Sequence, residues 1–435
     1  MKPINVGLLG TGTVGGGTFK VLQRNSEEIS RRAGCTIRIA VVADKDVVRA
    51  KAVAGDAARV TADAFEVVND PQVDVVVELI GGYTIAKELM LKAIANGKHV
   101  VTANKALLAI HGNEIFSAAR KQGVMVAFEA AVGGGIPIIK SLREGLSANR
   151  IEWIAGIING TSNFILSEMR AKGAAFADVL KEAQNKGYAE ADPTFDIEGV
   201  DAAHKLAIMA AIGFGIPVQF DKAYVEGISK LAQQDIRYAE ELGYRIKLLG
   251  IAKRKAAGFE LRVHPTLIPA RQLIANVEGV MNAILVKGDA VGQTMYYGAG
   301  AGAEPTASAV VADLVDVARA LTADPEHRVP HLAFQHDQLS NVPILPMGEV
   351  ETSYYLRLRV ADKAGVLADI TRILADQAIS IEALVQKPHD GEEQVDIILL
   401  THLTREKKID AAIRSIEALP VVSGKITRIR MEALQ

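Results

Sequence analysis

The chain has 435 residues, enough for two or three domains at roughly 100–200 residues each. Hydrophobic residues make up 49% and charged residues 23%, which excludes a disordered or fibrous polymer. Lys and Arg number 49 against 51 Asp and Glu, a net charge of -2 that offers no polybasic field to nucleic acid or an anionic membrane. The single cysteine, Cys35, permits neither an internal disulfide nor a cysteine-based zinc site. No apolar run approaches the roughly 20 residues of a membrane span. Met1-Lys2-Pro3 runs straight into a strand-like segment, so a cytoplasmic protein without a signal peptide is expected.

In the first 130 or so residues, short Val- and Ile-rich runs at 4–9, 36–43, 73–79, 99–102 and 124–128 alternate with longer helical patterns at 14–32, 84–96 and 113–121. Near-continuous apolar runs are the pattern of strands buried on both faces of a parallel sheet. Gly97 and Gly123 stand where helix C-caps belong. This βαβα alternation predicts a Rossmann-like, doubly wound α/β domain over 1–132. Two-residue alternation at 150–158, 244–253 and 259–265, with helical stretches between Ser162 and Met209, predicts an α+β domain over 133–302. Residues 305–321 form an apolar helix face. Residues 324–350 hold four prolines and no periodicity, an extended linker. The remaining 351–435 read as a ferredoxin-like βαββαβ module.

Gly10-Thr11-Gly12-Thr13-Val14-Gly15 lies between the first strand and the first long helix. Missing Cβ atoms permit the tight turn and let a pyrophosphate reach the free N–H groups of the helix N-terminus. The same turn also serves a fold that binds nothing. Asp44, at the end of the second strand, can accept from a ribose diol and favours NAD; it reads equally as a loop residue. Lys45, Arg49 and Lys51 nearby suit a 2′-phosphate instead, so the lean is to NAD with NADP left open.

The segment from Ala183 to Lys205 contains Gly187, Glu190, Asp196, Asp201 and Lys205, with the last two one helical turn apart and able to pair. On composition it is a solvated loop followed by an exposed helix pair. Its spacing, however, resembles the signature of homoserine dehydrogenases. So do His99-Val100-Val101-Thr102-Ala103-Asn104-Lys105, Glu129-Ala130-Ala131-Val132-Gly133-Gly134-Gly135-Ile136-Pro137, Asn159-Gly160-Thr161-Ser162-Asn163 and Gly300-Ala301-Gly302-Ala303-Glu304-Pro305-Thr306, in that family's order over about residues 1–325.

The resemblance implies reversible NAD(P)H-dependent reduction of L-aspartate 4-semialdehyde to L-homoserine. It places Lys205 as the acid/base and Lys105 as a second lysine touching substrate and cofactor. Two neighbouring ammonium groups in a partly dry cleft depress each other's pKa, which suits proton transfer to a developing alkoxide. Substrate contacts fall on Gly187, Glu190, Asp201, Gly160 and Thr161, with Asp196 orienting Lys205. Cofactor contacts fall on Gly10, Thr11, Gly12, Thr13, Val14, Gly15, Asp44, Thr102, Lys105 and Gly302, where the resemblance has the chain re-enter the first domain and complete it with residues 303–323, which makes 133–302 the catalytic and dimerisation domain. Glu129, Val132, Gly134 and Ile136 match positions that hold a structural monovalent cation such as Na⁺, or else form a rigid turn. The segment after the second strand lacks the arginine that many members carry, which puts an NADP preference in doubt.

Leu358-Arg359-Val360-Ala361-Asp362-Lys363-Ala364-Gly365-Val366, followed by Ile379-Ser380-Ile381, resembles an ACT domain. That implies pairing into a homodimer or homotetramer and an amino-acid effector, threonine being the pathway's end product. A purely structural dimerisation module is the alternative. An enzyme forming an acyl intermediate would need a nucleophilic cysteine, and Cys35 lies in the wrong segment. A non-catalytic metabolite sensor would not need Lys105, Glu190, Asp201 and Lys205 together.

Overall fold

The computed structural model describes residues 3–321, 328–388 and 393–434. They gather into two compact units, the first formed by Met1–Gly160, Asp201–Ala223 and Val280–Val342, the second by Thr161–Val200, Tyr224–Gly279 and Pro343–Gln435. The stretch 133–302, expected as one domain, is therefore shared between the two. The beginning of the expected linker at 324–327, the end of the returning segment at 322–323, and Gln435 lie outside the described residues.

In the first unit, β1 (Ile4–Leu9), β2 (Ile37–Ala43), β3 (Arg59–Thr61), β4 (Val75–Glu78), β5 (His99–Thr102) and β6 (Val126–Ala127) form a parallel sheet in the order 3-2-1-4-5-6. All residues of β1, β4 and β5 are buried, as a sheet covered on both faces requires. Strand order reverses beside β1, and in such sheets ligands bind outside the C-terminal strand ends at that point.

The helices are α1 (Thr13–Arg24), α2 (Ser26–Ala33), α3 (Val47–Ala54), α4 (Ala64–Asn69), α5 (Thr84–Ala95) and α6 (Lys105–Lys121). Residues 14–32, expected as one helix, break at Asn25, whose φ of -108° and ψ of 20° leave the helical region. Asn is a poor helix former in an interior turn. β3 and α4 are too short to show a period, and the sequence reading passed over them. α6 starts earlier than expected, because the Asn104 side chain caps it by accepting from the Leu107 N–H at 3.1 Å.

The chain returns to this sheet through the helix Ala303–Ala320. A Cβ on Gly17 of α1 would lie 2.5 Å from the Ala303 carbonyl oxygen, so only glycine allows this approach. Ala307, Val310, Leu314 and Val317 share one buried cluster with Val6, Leu8 and Phe19. Each Val or Leu buried there contributes about 1.5–3 kcal/mol. The unit also holds an antiparallel ribbon of Ile151–Ile157, Met281–Gly288 and Gly292–Ala299. The helix Val200–Phe214, buried from Asp201 to its end, packs on that ribbon so closely that a Cβ on Gly213 would come within 2.9 Å of Ile154.

In the second unit the antiparallel hairpin Tyr244–Lys255 and Gly258–Pro269 is joined in parallel by Val422–Met431. The sheet then runs through Glu351–Ala361 and Gln394–Thr401 to Ile381–Pro388, all antiparallel. With the helices Val366–Asp376 and Glu406–Glu417 this is the expected βαββαβ module, its core formed by Leu356, Leu358, Ile370, Ile397, Ile409 and Ile416. Rather than standing alone, the module extends the sheet of the hairpin.

The linker is strapped down rather than loose. In the first unit Val126 N–H donates to His331 Nε2 at 3.1 Å, Ser340 N–H donates to the Gly215 carbonyl at 2.6 Å, and the Phe334 ring fills the space where a Gly215 Cβ would sit. In the second, Phe259 N–H donates to Pro343 and Leu345 N–H donates back to Phe259.

Candidate active site

The glycine loop divides its labour as a dinucleotide site demands. Gly10 has φ +94°, and a Cβ there would meet the Leu79 carbonyl at 2.8 Å. A Cβ on Gly15 would meet the Gly10 carbonyl at 2.0 Å, so the third glycine allows α1 to press against the turn. Nothing lies within 4 Å of a Cβ on Gly12, leaving open backbone where a pyrophosphate would approach. Thr13 and Val14 open α1.

Asp44 follows β2 and is anchored on both sides. Its Oδ2 accepts from the Thr11 N–H at 2.7 Å and the Thr11 hydroxyl at 2.5 Å, and Arg49 Nη2 lies 3.0 Å from each oxygen. Burial opposes its charge, but the hydrogen bonds from Thr11, Asp46 N–H and Arg49 prevail and hold its carboxyl far below the usual range.

Thr102 ends β5 fully buried, its hydroxyl donating to Glu78 Oε2 at 2.7 Å and accepting from Asn104 N–H at 3.0 Å. Glu78 in turn takes the Ile80 and Gly81 N–H groups. This network fixes the turn from which α6 presents Lys105 as its first residue.

There the fold joins two distant parts of the sequence. Lys105 Nζ lies 3.2 Å from Asp201 Oδ1, and Lys205 Nζ lies 2.6 Å from Asp201 Oδ2. Asn159 Nδ2 donates to the same Oδ2 at 2.9 Å, and Lys205 also donates to the Ile158 carbonyl at 2.7 Å. Burial disfavours the Asp201 charge, yet Lys205, Lys105 and Asn159 together draw its pKa down to about 2. The side chain of Lys205 is 10% exposed and that of Lys105 is 33% exposed, so one ammonium is sheltered and the other faces solvent. His204 stays neutral, with a pKa near 4 set by burial and the two lysines; its ring packs edge-on to Phe220 at 4.2 Å. The sequence reading did not assign Asn159 or the Ile158 carbonyl. Asn159 lay within a motif already quoted, whereas a backbone carbonyl leaves no trace in residue type.

The other expected substrate residues belong largely to the second unit. The Thr161 hydroxyl donates to the Tyr188 carbonyl at 2.6 Å, Gly187 turns with φ +72°, and Gln184 Nε2 donates to the Glu190 carbonyl at 3.2 Å. These bonds shape the loop and leave Glu190 exposed. Ser162 donates to the Asp196 carbonyl, so the backbone at Asp196 helps hold this loop, while the carboxylate gripping Lys205 is Asp201. Gly160 stays in the first unit, where a Cβ would meet the Val280 carbonyl at 2.7 Å. Gly302, with φ +127°, precedes the returning helix.

The candidate cation turn is clamped in place. Gly135 N–H donates to the Ala299 carbonyl, and a Cβ on Gly134 (φ +56°) would lie 2.5 Å from the Gly300 oxygen. The Glu129 carboxylate accepts the Ile139 and Lys140 N–H groups, and its own N–H donates to Asp313. Burial and the nearby Glu129 raise Asp313 to about 7. The Glu129 and Ile136 carbonyls already accept N–H groups from Val132 and Ile138, but each oxygen keeps a second lone pair. The donors are all oxygens, and among the described residues no group of three His, Cys, Asp or Glu could hold a metal. That set suits a hard monovalent ion rather than a transition metal. No helix among the described residues is long and apolar enough to cross a membrane.

Three family models match the chain in order: the homoserine dehydrogenase NAD-binding domain at residues 10–129, homoserine dehydrogenase at 137–315 and the ACT domain at 354–421. Over the full length of both proteins the chain is 65% identical to the homoserine dehydrogenase of Pseudomonas aeruginosa. The chain belongs to the homoserine dehydrogenase family. Among solved structures, the homoserine dehydrogenase of Thiobacillus denitrificans is 71% identical and superposes with a TM-score of 0.96, covering 100% of this chain and 99% of that one. A hyperthermophilic archaeal homoserine dehydrogenase in complex with NADPH is 25% identical, with a TM-score of 0.63 over 73% of this chain and 98% of its own. As a member of the homoserine dehydrogenase family, the chain is an oxidoreductase acting on a CH–OH group. It joins a Rossmann-like NAD(P)-binding domain to a catalytic domain with a mixed sheet and a C-terminal ACT domain.

Proposed function

We propose that the Asp201 bridge between Lys105 and Lys205 is the proton-handling centre for reduction of L-aspartate 4-semialdehyde to L-homoserine. Bound NAD(P)H supplies the hydride. Lys205, held by Asp201 and the Ile158 carbonyl, gives its Nζ proton to the developing alkoxide, and its charge stabilises that oxygen. Lys105, the more exposed ammonium, borders the substrate and cofactor. Both Asp201 oxygens are engaged by these groups, so Asp201 acts as the positioning carboxylate, and the exposed Glu190 takes the substrate's α-ammonium group. Gly160, Thr161, Gly187 and Asp196 shape the substrate loop.

Gly10, Thr11, Gly12, Thr13, Val14, Gly15 and Gly302 hold the dinucleotide through backbone. Thr102 contributes through the turn it fixes. An ionised Asp44 accepts from a ribose diol and repels a 2′-phosphate, which supports preference for NAD. Arg49, already on Asp44, is the group an NADP phosphate would have to recruit, and the NADPH-bound archaeal relative keeps NADP in play. Glu129, Val132, Gly134 and Ile136 hold a structural Na⁺ through oxygen. The ACT domain binds threonine near Asp362–Gly365, where Gly365 (φ +93°) starts a helix, and pairs the chains into a homodimer or homotetramer. The whole is a cytoplasmic enzyme of threonine and methionine biosynthesis.

The test is homoserine oxidation followed at 340 nm with NAD and NADP in parallel, with and without threonine. Turnover favouring NAD and inhibited by threonine is the expected result. Folded protein inert with both cofactors would overturn the reading.

A further inference from the structure

A cavity of about 970 Å³ lies in the first unit, away from the chemistry described above. Its floor is the C-terminal end of α6 and the segment entering β6, and its wall is the strapped linker from Arg328 to Leu339. Residues entering a parallel strand sit at the sheet's N-terminal edge. The glycine loop leaves β1 at the opposite, C-terminal edge, so this cavity is not the dinucleotide crevice.

Three guanidinium groups line it: Arg120, Arg143 and Arg328. Arg120 is exposed and has no carboxylate partner among the described residues. Arg143 is buried at 8% exposure and pairs with Glu144 at 3.0 Å. Arg328 donates to the Gly123 carbonyl at 2.8 Å. Among the described residues that line the cavity, Asp337 is the one carboxylate, and Arg328 has a further polar partner besides Gly123. Beside the cations, His331 stacks on Phe116 at 5.3 Å and 20°, and Phe334 and Met125 add apolar surface. His331 accepts the Val126 N–H through Nε2 and stays neutral, so its ring acts as a flat wall. Forked cationic donors over an aromatic wall, in a cavity of metabolite size, suit an anion carried on an apolar or aromatic body.

We propose that this cavity is a second small-molecule site, specific for organic anions whose carboxylate or phosphate meets the arginines while the body lies along Phe116 and His331. The proposal stands apart from the catalytic reading.

The test is calorimetric titration of the full-length enzyme, saturated with NADH, using phenyl phosphate, benzoate and benzyl alcohol. One anion per chain should bind in the millimolar range or tighter. Tighter binding of phenyl phosphate assigns the site to phosphate esters, and tighter binding of benzoate assigns it to carboxylates. Arg120→Ser should weaken binding about fivefold or more, and Asp337→Asn should strengthen it about threefold, by removal of the opposing charge. The proposal is overturned if benzyl alcohol binds as tightly as the anions, if the anions bind only when NADH is absent, or if neither substitution alters affinity.

Discussion

Two buried carboxylates, Asp201 in the first unit and Glu432 in the second, are drawn to nearly the same acidity, each to a pKa of about 2, by different partners. Asp201 is held by two lysines, one of them a third exposed. Glu432 is held by Arg262, which is 1% exposed and also paired with Glu260, and by Lys253. A guanidinium does not yield its proton in a protein, whereas an ammonium does. The Asp201 cluster is thus built from ammoniums alone, as the proposed proton transfer needs, whereas at Glu432 a guanidinium, with Lys253 beside it, holds the charge fixed inside a sheet.

Substitutions should separate the two. The largest effect is expected from Lys205→Ala, with kcat reduced about 10³-fold or more while cofactor affinity, measured by fluorescence titration, is unchanged. Retained turnover would remove Lys205 from the proton step. Glu432→Gln leaves the buried Arg262 with Glu260 alone and takes the carboxylate from Lys253, and should cost about 3 kcal/mol in urea unfolding, with kcat of the folded enzyme intact. If activity rather than stability fell, the contrast between the two clusters would fail.

Asp201→Asn preserves a hydrogen-bond acceptor but deletes the charge that stabilises both ammoniums, so kcat should fall about 10²-fold. In homoserine oxidation, where Lys205 must be unprotonated to accept the hydroxyl proton, the limb that rises with pH should also move to lower pH. An unchanged profile would reduce Asp201 to a packing role.

The smallest effect is in acid. Burial, assisted by Arg328 at His99 and by Arg143 at His331, depresses both histidines to about 4. Between pH 6.5 and 4 the unfolded chain takes protons that the folded chain refuses, so stability falls as pH falls through that window. The loss is on the order of 1–2 kcal/mol per histidine by pH 5. Asp201 resists until lower pH, its contribution disappearing only as pH drops below about 4 toward 2. Replacing His331 with Gln should flatten the first phase of an acid unfolding curve and leave the second.

Much of this was legible in the sequence. Strands buried on both faces, the glycine loop and the two-residue alternation later in the chain were enough for the three-part architecture. The one-turn spacing of Asp201 and Lys205 made their pairing visible. That Lys105 reaches the other oxygen of Asp201 was not visible, because only the folded sheet brings α6 to that helix. Nor was the break at Asn25, where a single residue's dihedral angles decide between one helix and two. The linker misled for a related reason: prolines announce extended chain but not whether it is bonded, and here His331 and Ser340 fasten it.

The helix Ala303–Ala320 has a consequence for how the protein is made. The six parallel strands leave the ribosome long before the helix that covers α1, and until it arrives the cluster around Phe19 and Val6 lacks the side chains of Ala307, Val310, Leu314 and Val317. The amino-terminal domain therefore completes its core only with a segment translated much later. A ribosome that stalls before this helix releases a nucleotide-binding sheet without its seal.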